Sequence, residues 1–266
     1  MLILLFGIIA AVAAGLYCFF VNSVVWQLVL IFLGVFLAEH LLFILFFYLA
    51  SLSVDRSKPL EKQNKICRAA CGQIIGLACD YCSVYPKVYG EEKLPKDERF
   101  LLICNHRSSF DPLVIMDKLR KYNISFVSKP SIMKIPVVGR IAYGAGYLAI
   151  DRENNRNALK TILQAAEHIK SGMCSMAIYP EGTRNREDSL LPFHAGSFKI
   201  AQKAGCPLVI SSVSGTDKIK PWRIFGGNKV SLNILEVIPA EKVKEMSTSE
   251  LADYSCRLIT ESLQKG

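Results

Sequence analysis

The first 54 residues almost lack charge: Glu39 is the one Asp, Glu, Lys or Arg before Asp55. This stretch has no basic start and no small-residue cleavage site, which argues against a removable secretory leader. Histidine is scarce, four in 266 residues. Neither Ser108 nor Ser109 lies in G-x-S-x-G, so the chain offers no nucleophile elbow there. The nine cysteines are an odd number in a chain too long to need stapling, which points to free thiols in a reducing compartment. Cys67, Cys71, Cys79 and Cys82 read C-x3-C-x7-C-x2-C and lack the paired C-x2-C knuckles of zinc sites, so no metal is expected. No repeat or low-complexity segment stands out.

What the N-terminus does contain is apolar side chains. Residues 1–50 run to more than twice the roughly 20 residues that one helical pass requires. Polarity interrupts the run near Asn22 and Ser23, which predicts a turn between two hydrophobic helices, LILLFGIIAAVAAGLYCFF and QLVLIFLGVFLAEHLLFILFFYLA. The hairpin could span the bilayer or dip into one leaflet. Glu39 and His40 lie deep in the second run, where ionisable groups are costly and are expected to face one another, a neighbouring helix or an interface. Arg56, Lys58, Lys62, Lys65 and Arg68 follow at once, and the positive-inside rule then puts the rest of the chain on the cytoplasmic side of the cell membrane. All 32 Lys and Arg lie beyond residue 54, and this charge suits anionic partners: lipid headgroups, nucleic acid, a phosphate-bearing cofactor or an acidic carrier protein.

Two units follow: residues 1–54 as membrane anchor and 55–266 as a cytoplasmic domain. Residues 60–82 carry Cys67, Cys71, Ile74, Ala78 and Cys82 at helical spacing, predicting a helix along the membrane surface. β-rich runs come next: VYPKVY, FLLICN, ISFVSK, YLAID, SMAIYP, PLVISSVSG and VSLNILEVI. Helices are expected between them at 112–121, 131–142, 155–171 and 195–205, with a last one from Ser249 to Gln264. The alternation predicts an α/β fold, a mixed and largely parallel sheet flanked by helices, behind the hydrophobic helical hairpin.

Sites in such sheets sit where strands end, which directs attention to the loops after FLLICN and SMAIYP. The first reads Asn105-His106-Arg107-Ser108-Ser109-Phe110-Asp111-Pro112. A loop turning from strand to helix can bring the Asp111 carboxylate onto one ring nitrogen of His106, leaving the other as a general base. Asp before Pro equally suits a helix N-cap, so the spacing alone fits either role. With no nucleophile of its own, the pair would act on a substrate hydroxyl attacking an activated acyl group. The second loop, Tyr179-Pro180-Glu181-Gly182-Thr183-Arg184-Asn185-Arg186, joins a permissive glycine to Arg184, whose planar fork suits phosphate. Lys129 ends a third strand and could add a point charge. Cys104 is expected to pack inward, and His168 to be solvated beside the stripe of Leu159, Ile162, Ala166 and Ile169.

NHRSSFD, the strand end at Lys129 with KIPVVGR behind it, YPEGTR, and PLVISSVSG occur in the order and approximate spacing of the four motifs of glycerolipid acyltransferases. Over roughly residues 85–240 the chain resembles that family, most nearly the bacterial 1-acylglycerol-3-phosphate (lysophosphatidic acid) type. The resemblance implies His106 as general base and Asp111 as its orienting partner. It implies that Arg184 and Lys129 hold the acceptor's phosphate, that Glu181, Gly182 and Thr183 shape the acceptor loop, and that Pro207 helps line the acyl-donor side. Pro130-Ser131 stands where many relatives have an acidic residue, and His194 stands where a basic one is frequent. These departures bear on the acceptor and not on the reaction. A rival role for His194 as base has no carboxylate at matching spacing.

The expected activity is transfer of acyl from a thioester, acyl-CoA or acyl carrier protein, to the 2-hydroxyl of 1-acylglycerol 3-phosphate, with no bound cofactor. Alternatives are another lysolipid or glycerol 3-phosphate as acceptor, or a non-catalytic anionic-lipid-binding membrane protein. Nucleic-acid binding has charge in its favour but no recognition motif.

Overall fold

The computed structural model describes residues 2–21, 25–185, 187, 189–220 and 227–265. The expected turn at Asn22 and Ser23, and Arg186 of the second loop, lie outside the described residues. Helix α1 (Leu2–Val21) and helix α2 (Val25–Leu52) carry no charge in their terminal turns. Both are long and apolar enough to cross a membrane by length and composition. At 1.5 Å per residue α2 is about 42 Å long, beyond the ~30 Å of a hydrocarbon core.

Helix α3 (Lys65–Tyr81) begins later than residue 60 because the Asn64 side chain caps it, accepting from the Ile66 and Cys67 N–H groups. It is more enclosed than a surface helix: Cys67, Ala70, Ile75 and Cys79 are buried. Part of that burial is against the hairpin, in a cluster of Phe47, Ala50, Val54, Cys67, Ala70 and Ile141. His40 on α2 meets the Tyr81 hydroxyl at 2.6 Å and the carbonyl of Phe36 at 2.7 Å. A carbonyl only accepts, so Nδ1 carries the proton and Nε2 accepts from Tyr81. The histidine of the second apolar helix thus ties the hairpin to α3.

Two outcomes are expected if the apolar hairpin is the membrane anchor that its sequence suggests. The protein should stay with membranes through high-salt washing and be released by detergent, because apolar burial is not screened by salt. Removal of residues 1–54 should abolish that attachment and lower the thermal midpoint, since it uncovers Cys67, Ala70 and Ile141. Full membrane association of the truncated protein in high salt would show that the anchor lies elsewhere.

Seven strands form one sheet: β1 (Lys87–Tyr89), β2 (Leu101–Cys104), β3 (Ile124–Ser128), β4 (Leu148–Ala149), β5 (Ser175–Ile178), β6 (Leu208–Ser214) and β7 (Ser231–Ile238). Their order is β1-β7-β6-β2-β5-β3-β4. Neighbours are parallel except β6 and β7. VYPKVY contributes only its last three residues, consistent with Pro86 having no N–H to give a ladder.

The helices are α4 (Asp111–Lys118), α5 (Pro130–Lys134), α6 (Val138–Gly144), α7 (Asn155–Lys170), α8 (Lys199–Ala204), α9 (Ala240–Glu245) and α10 (Thr248–Gln264). The helix expected at 131–142 is two, because Pro136 cannot continue α5. Val137 takes φ +63° at the break, and Gly139 lets the start of α6 lie on the carbonyl of Met133, where a Cβ would collide. The stretch at 195–205 opens as a 3-10 turn before α8, which ends on Gly205 at φ +67°.

Alternation along the central strands feeds both faces of the sheet. Leu101 and Ile103 pack with Ile162 and Ala165 of α7, Ile200 of α8 and Ile259 of α10. Leu102 and Cys104 pack with Val114 and Ile115 of α4 and Ile75 of α3.

His168 departs from expectation. It is 4% exposed, because α7 turns this position inward beside Ala165 and Ile169. Burial lowers its pKa, and its Nδ1 has no hydrogen-bond partner. An unfolded chain takes up this proton near pH 6.5 while the native state resists it, so stability rises with pH through this group. Thermal unfolding should therefore show the midpoint falling as pH drops from 7 toward 5, with a shallower fall in His168→Leu. Equal slopes would remove the histidine from that dependence.

Candidate functional site

Strands β6, β2, β5 and β3 are adjacent and parallel, so the segments leaving their C-terminal ends converge on one edge of the sheet. His106 leaves β2, Tyr179 to Arg184 leave β5, Lys129 leaves β3, and Thr216 leaves β6. Asn105 continues the ladder with its side chain: Nδ2 donates to the Val213 carbonyl at 3.0 Å, and Oδ1 accepts from the Val213 N–H at 2.8 Å.

His106 Nδ1 donates to Asp111 Oδ2 at 2.8 Å. The same oxygen accepts from the backbone N–H groups of Arg107 and Ser108 at 2.7 and 2.8 Å, and Oδ1 accepts from the Thr216 hydroxyl at 2.5 Å. Asp111 is not the helix cap that Asp-Pro suggested. It is the first residue of α4, Phe110 occupies the cap position without a side-chain bond, and the buried carboxylate serves the loop and the imidazole. His106 Nε2 is left without a partner among the described residues. The ring stacks on Tyr179 with centroids 4.1 Å apart and planes 13° apart, which fixes its orientation.

The β5 loop clamps the histidine backbone. Glu181 Oε1 accepts from the His106 N–H at 2.6 Å, its Oε2 accepts from Leu191 N–H at 3.2 Å, and Asn185 N–H donates to the His106 carbonyl at 2.7 Å. Glu181 is 3% exposed, and burial raises its pKa although both N–H donors pull the other way. It holds two loops together from beneath. Gly182, at φ +80°, has no room for a Cβ, which would strike Arg152 and His194. Arg184 Nη1 donates to Ser109 Oγ at 2.6 Å, spanning the two motif loops. Lys129 is exposed on the rim, and Thr183 is exposed without lining the cavity.

That cavity, about 370 Å³, opens at His106, Ser109, Lys129, Arg152 and Arg184. Its walls are apolar, including Ile74, Phe126, Val127 and Ile141. Also in the lining, the Tyr147 hydroxyl donates to the Met116 sulfur. A hydrocarbon chain fits such a lining, with the polar reaction centre at the mouth.

Three residues of the site were not singled out from sequence: Arg152, Tyr179 as a stacking ring, and Thr216. Their signal was position, since Arg152 follows YLAID and Thr216 follows PLVISSVSG at the same sheet edge. Arg152 lies by the Tyr179 carbonyl, and desolvation lowers its pKa. Pro207, expected on the donor side, is at the opposite edge, where its carbonyl accepts from the Leu101 N–H at 3.0 Å. Parallel pairing of β6 with β2 puts the two ends of the fourth motif on opposite sides of the molecule. Cys104 packs into the core, and burial pushes its thiol well up, away from nucleophilic reactivity. The His194 ring lies against Gly182, and the His194 backbone N–H donates to the Pro180 carbonyl at 2.9 Å. Among the described residues, no group of three or more His, Cys, Asp or Glu side chains is arranged to hold a metal ion.

The site is therefore a histidine–carboxylate pair beside an apolar cavity that Arg152, Arg184 and Lys129 also line, at the C-terminal edge of a mainly parallel sheet. Comparison with known proteins makes this more specific. The Acyltransferase family model matches residues 86–214. The 1-acyl-sn-glycerol-3-phosphate acyltransferase of Haemophilus influenzae is 32% identical over 168 residues, 62% of this chain and 70% of that protein. That of Escherichia coli K12 is 33% identical over 164 residues, 60% of this chain and 65% of that protein. The chain belongs to the acyltransferase family that includes these enzymes. The alignments span about two thirds of the relatives' lengths, 64% for a Caenorhabditis elegans relative. The fold is also that of the crystal structure of the 1-acyl-sn-glycerophosphate (LPA) acyltransferase PlsC from Thermotoga maritima: TM-score 0.60, 24% identity, 86% of this chain and 96% of that one.

Proposed function

We propose that the protein transfers a fatty acyl group from an acyl thioester to the 2-hydroxyl of 1-acylglycerol 3-phosphate, giving phosphatidic acid in phospholipid synthesis. The observation that carries this is the free Nε2 of an oriented imidazole at the mouth of a lipid-sized apolar cavity. Named relatives at about one-third identity support the same chemistry.

In this mechanism His106 Nε2 takes the proton of the acceptor hydroxyl as its oxygen attacks the thioester carbonyl. Asp111 stabilises the imidazolium that results. Collapse of the tetrahedral intermediate breaks the C–S bond, and the proton passes from His106 to the departing thiolate. Arg184 and Lys129 hold the acceptor's phosphate, with Glu181, Gly182 and Thr183 shaping the loop that presents Arg184. The thioester, on coenzyme A or acyl carrier protein, is a co-substrate, so no bound cofactor is used.

The acceptor and product are bilayer lipids. Residues 1–54 hold the catalytic unit, 55–266, at the membrane surface, and the basic run at 56–68 favours the cytoplasmic side. The direct test supplies purified protein with a panel of lysolipids, glycerol 3-phosphate and both thioester donors, and identifies products by mass. Phosphatidic acid is the expected product. Acylation of a different acceptor in preference, or no acylation at all, would overturn the reading.

A further inference from the structure

The turn from α5 into α6 leaves aliphatic side chains uncovered. Ile132, Ile135 and Val138 are 37%, 48% and 38% exposed, and Pro136 among them is exposed too. The turn is compact: the Ile135 N–H donates to the Ile132 carbonyl at 3.2 Å, and the Gly139 N–H to the Ile135 carbonyl at 2.9 Å. It is also fastened to the end of the hairpin. Arg56 Nη1 donates to the Met133 carbonyl at 2.9 Å, and Arg140 Nη2 to the Val54 carbonyl at 3.4 Å. Val137 packs against the cluster that holds Phe47, Ala50 and Val54. The turn therefore stands beside the last turn of α2, where the apolar run gives way to Asp55, Arg56 and Lys58. Lys129 and Lys134, at the two ends of α5, are exposed there.

Aliphatic groups flanked by lysines, level with the end of an apolar helix, match a bilayer interface, where hydrocarbon gives way to anionic headgroups. Ile132 and Val138 also line the apolar cavity, and Lys129 stands on its rim. Part of the cavity wall is thus part of the uncovered surface of the turn. We propose that the α5–α6 turn sits in the bilayer interface as a second membrane contact beside the hairpin, and that the lipid acceptor enters the cavity from the bilayer past Ile132 and Val138. Its chain then stays in apolar surroundings throughout, and its phosphate travels at the level of Lys129. The inference rests on the hairpin as anchor and on the acyl-transfer reading, and it adds the side by which the lipid arrives. The hairpin remains the main attachment, since two apolar helices bury far more surface than three side chains.

Full-length proteins with a single tryptophan, made by changing Trp26 and Trp222 to Phe, would be reconstituted in mixed phosphatidylcholine and phosphatidylglycerol vesicles. The lipid chains carry bromine either near the carbonyl or near the methyl end. Ile135→Trp should lose roughly half its emission, more to the shallow bromines than to the deep ones. Leu163→Trp, on an exposed position of α7 across the sheet from the hairpin, should keep its emission. No quenching of Ile135→Trp, or equal quenching of Leu163→Trp, overturns the proposal. The protein that keeps Trp26 reports on α2 separately: absence of quenching there ends the anchor reading, while Ile135→Trp still decides the turn. Ile135 does not line the cavity, so Ile135→Glu alters the entry side and not the walls. It should raise KM for long-chain 1-acylglycerol 3-phosphate in vesicles by roughly fivefold or more. KM for a short-chain, water-soluble acceptor and for the acyl donor should change less than about twofold. An equal rise for both acceptors, or none, overturns the entry route. A detergent-solubilised dimer that Ile135→Glu dissociates would give this face to a second copy of the chain and overturn the membrane contact. Should the wild-type protein transfer no acyl group, the acyl-transfer reading falls by itself, and the quenching still decides whether the turn meets the bilayer.

Discussion

Asp111→Asn should lower acyl transfer by roughly 10²–10⁴ while leaving the protein folded, and His106→Ala should lower it to background. The geometry makes the asparagine variant a clean test of charge. Its remaining oxygen can take the place of Oδ2, accepting from His106 and the Arg107 and Ser108 N–H groups. Its NH₂ can donate to the Thr216 hydroxyl, which is free to reverse its role. Shape and hydrogen bonds survive, and only the charge facing the imidazolium is lost. A polar loop that merely caps a helix would lose little activity on this change. The alanine variant removes the free Nε2 and one of the two rings stacked on Tyr179, leaving Phe126 in place, a local loss at the sheet edge. Rates with saturating donor and acceptor, alongside thermal midpoints, separate the two effects. Wild-type turnover by His106→Ala would end the assignment of the base.

Arg184→Lys is expected to raise the acceptor's KM by about tenfold or more while the donor's KM stays within about threefold. Arg184 is exposed and anchored by one nitrogen to Ser109, which leaves the rest of its fork for a ligand at the cavity mouth. An ammonium keeps the charge but cannot make two parallel hydrogen bonds to phosphate oxygens. If the phosphate also sets the hydroxyl's distance from His106, kcat falls as well. A monoacylglycerol without phosphate should lose little between wild type and variant, since it makes no such contact. Equal losses for both acceptors would instead make the guanidinium a brace between the two motif loops, a role its bond to Ser109 would then explain.

Much of this was legible in the sequence because it depends on local pattern. Nearly uncharged runs of 20 and 28 residues can only be satisfied as helices in an apolar setting, and α1 and α2 follow. Short β-rich runs between helical stretches specify a parallel sheet, whose strand ends must carry polar loops, and so His106, Asp111, Lys129 and Arg184 could be named in advance. Their types narrowed the chemistry to proton transfer beside an anion.

What the sequence could not decide is which groups share space, since that depends on strand order and helix packing between residues far apart in the chain. Asp111 reads as a cap from its neighbour Pro112, yet Thr216, 105 residues on, takes one of its oxygens. Glu181 reads as part of a phosphate loop, yet it is buried because β5 lies beside β2 and brings the His106 N–H within 2.6 Å. Pro207 and Thr216 bracket one strand, and only the parallel register of β6 with β2 sends the first to the far edge and the second to the site. The cavity itself is made by α3, α4, β3 and α6 closing around a volume that none of their sequences encloses alone. Local pattern fixes the supply of groups at each strand end, and long-range pairing fixes the distances between them, on which the chemistry depends.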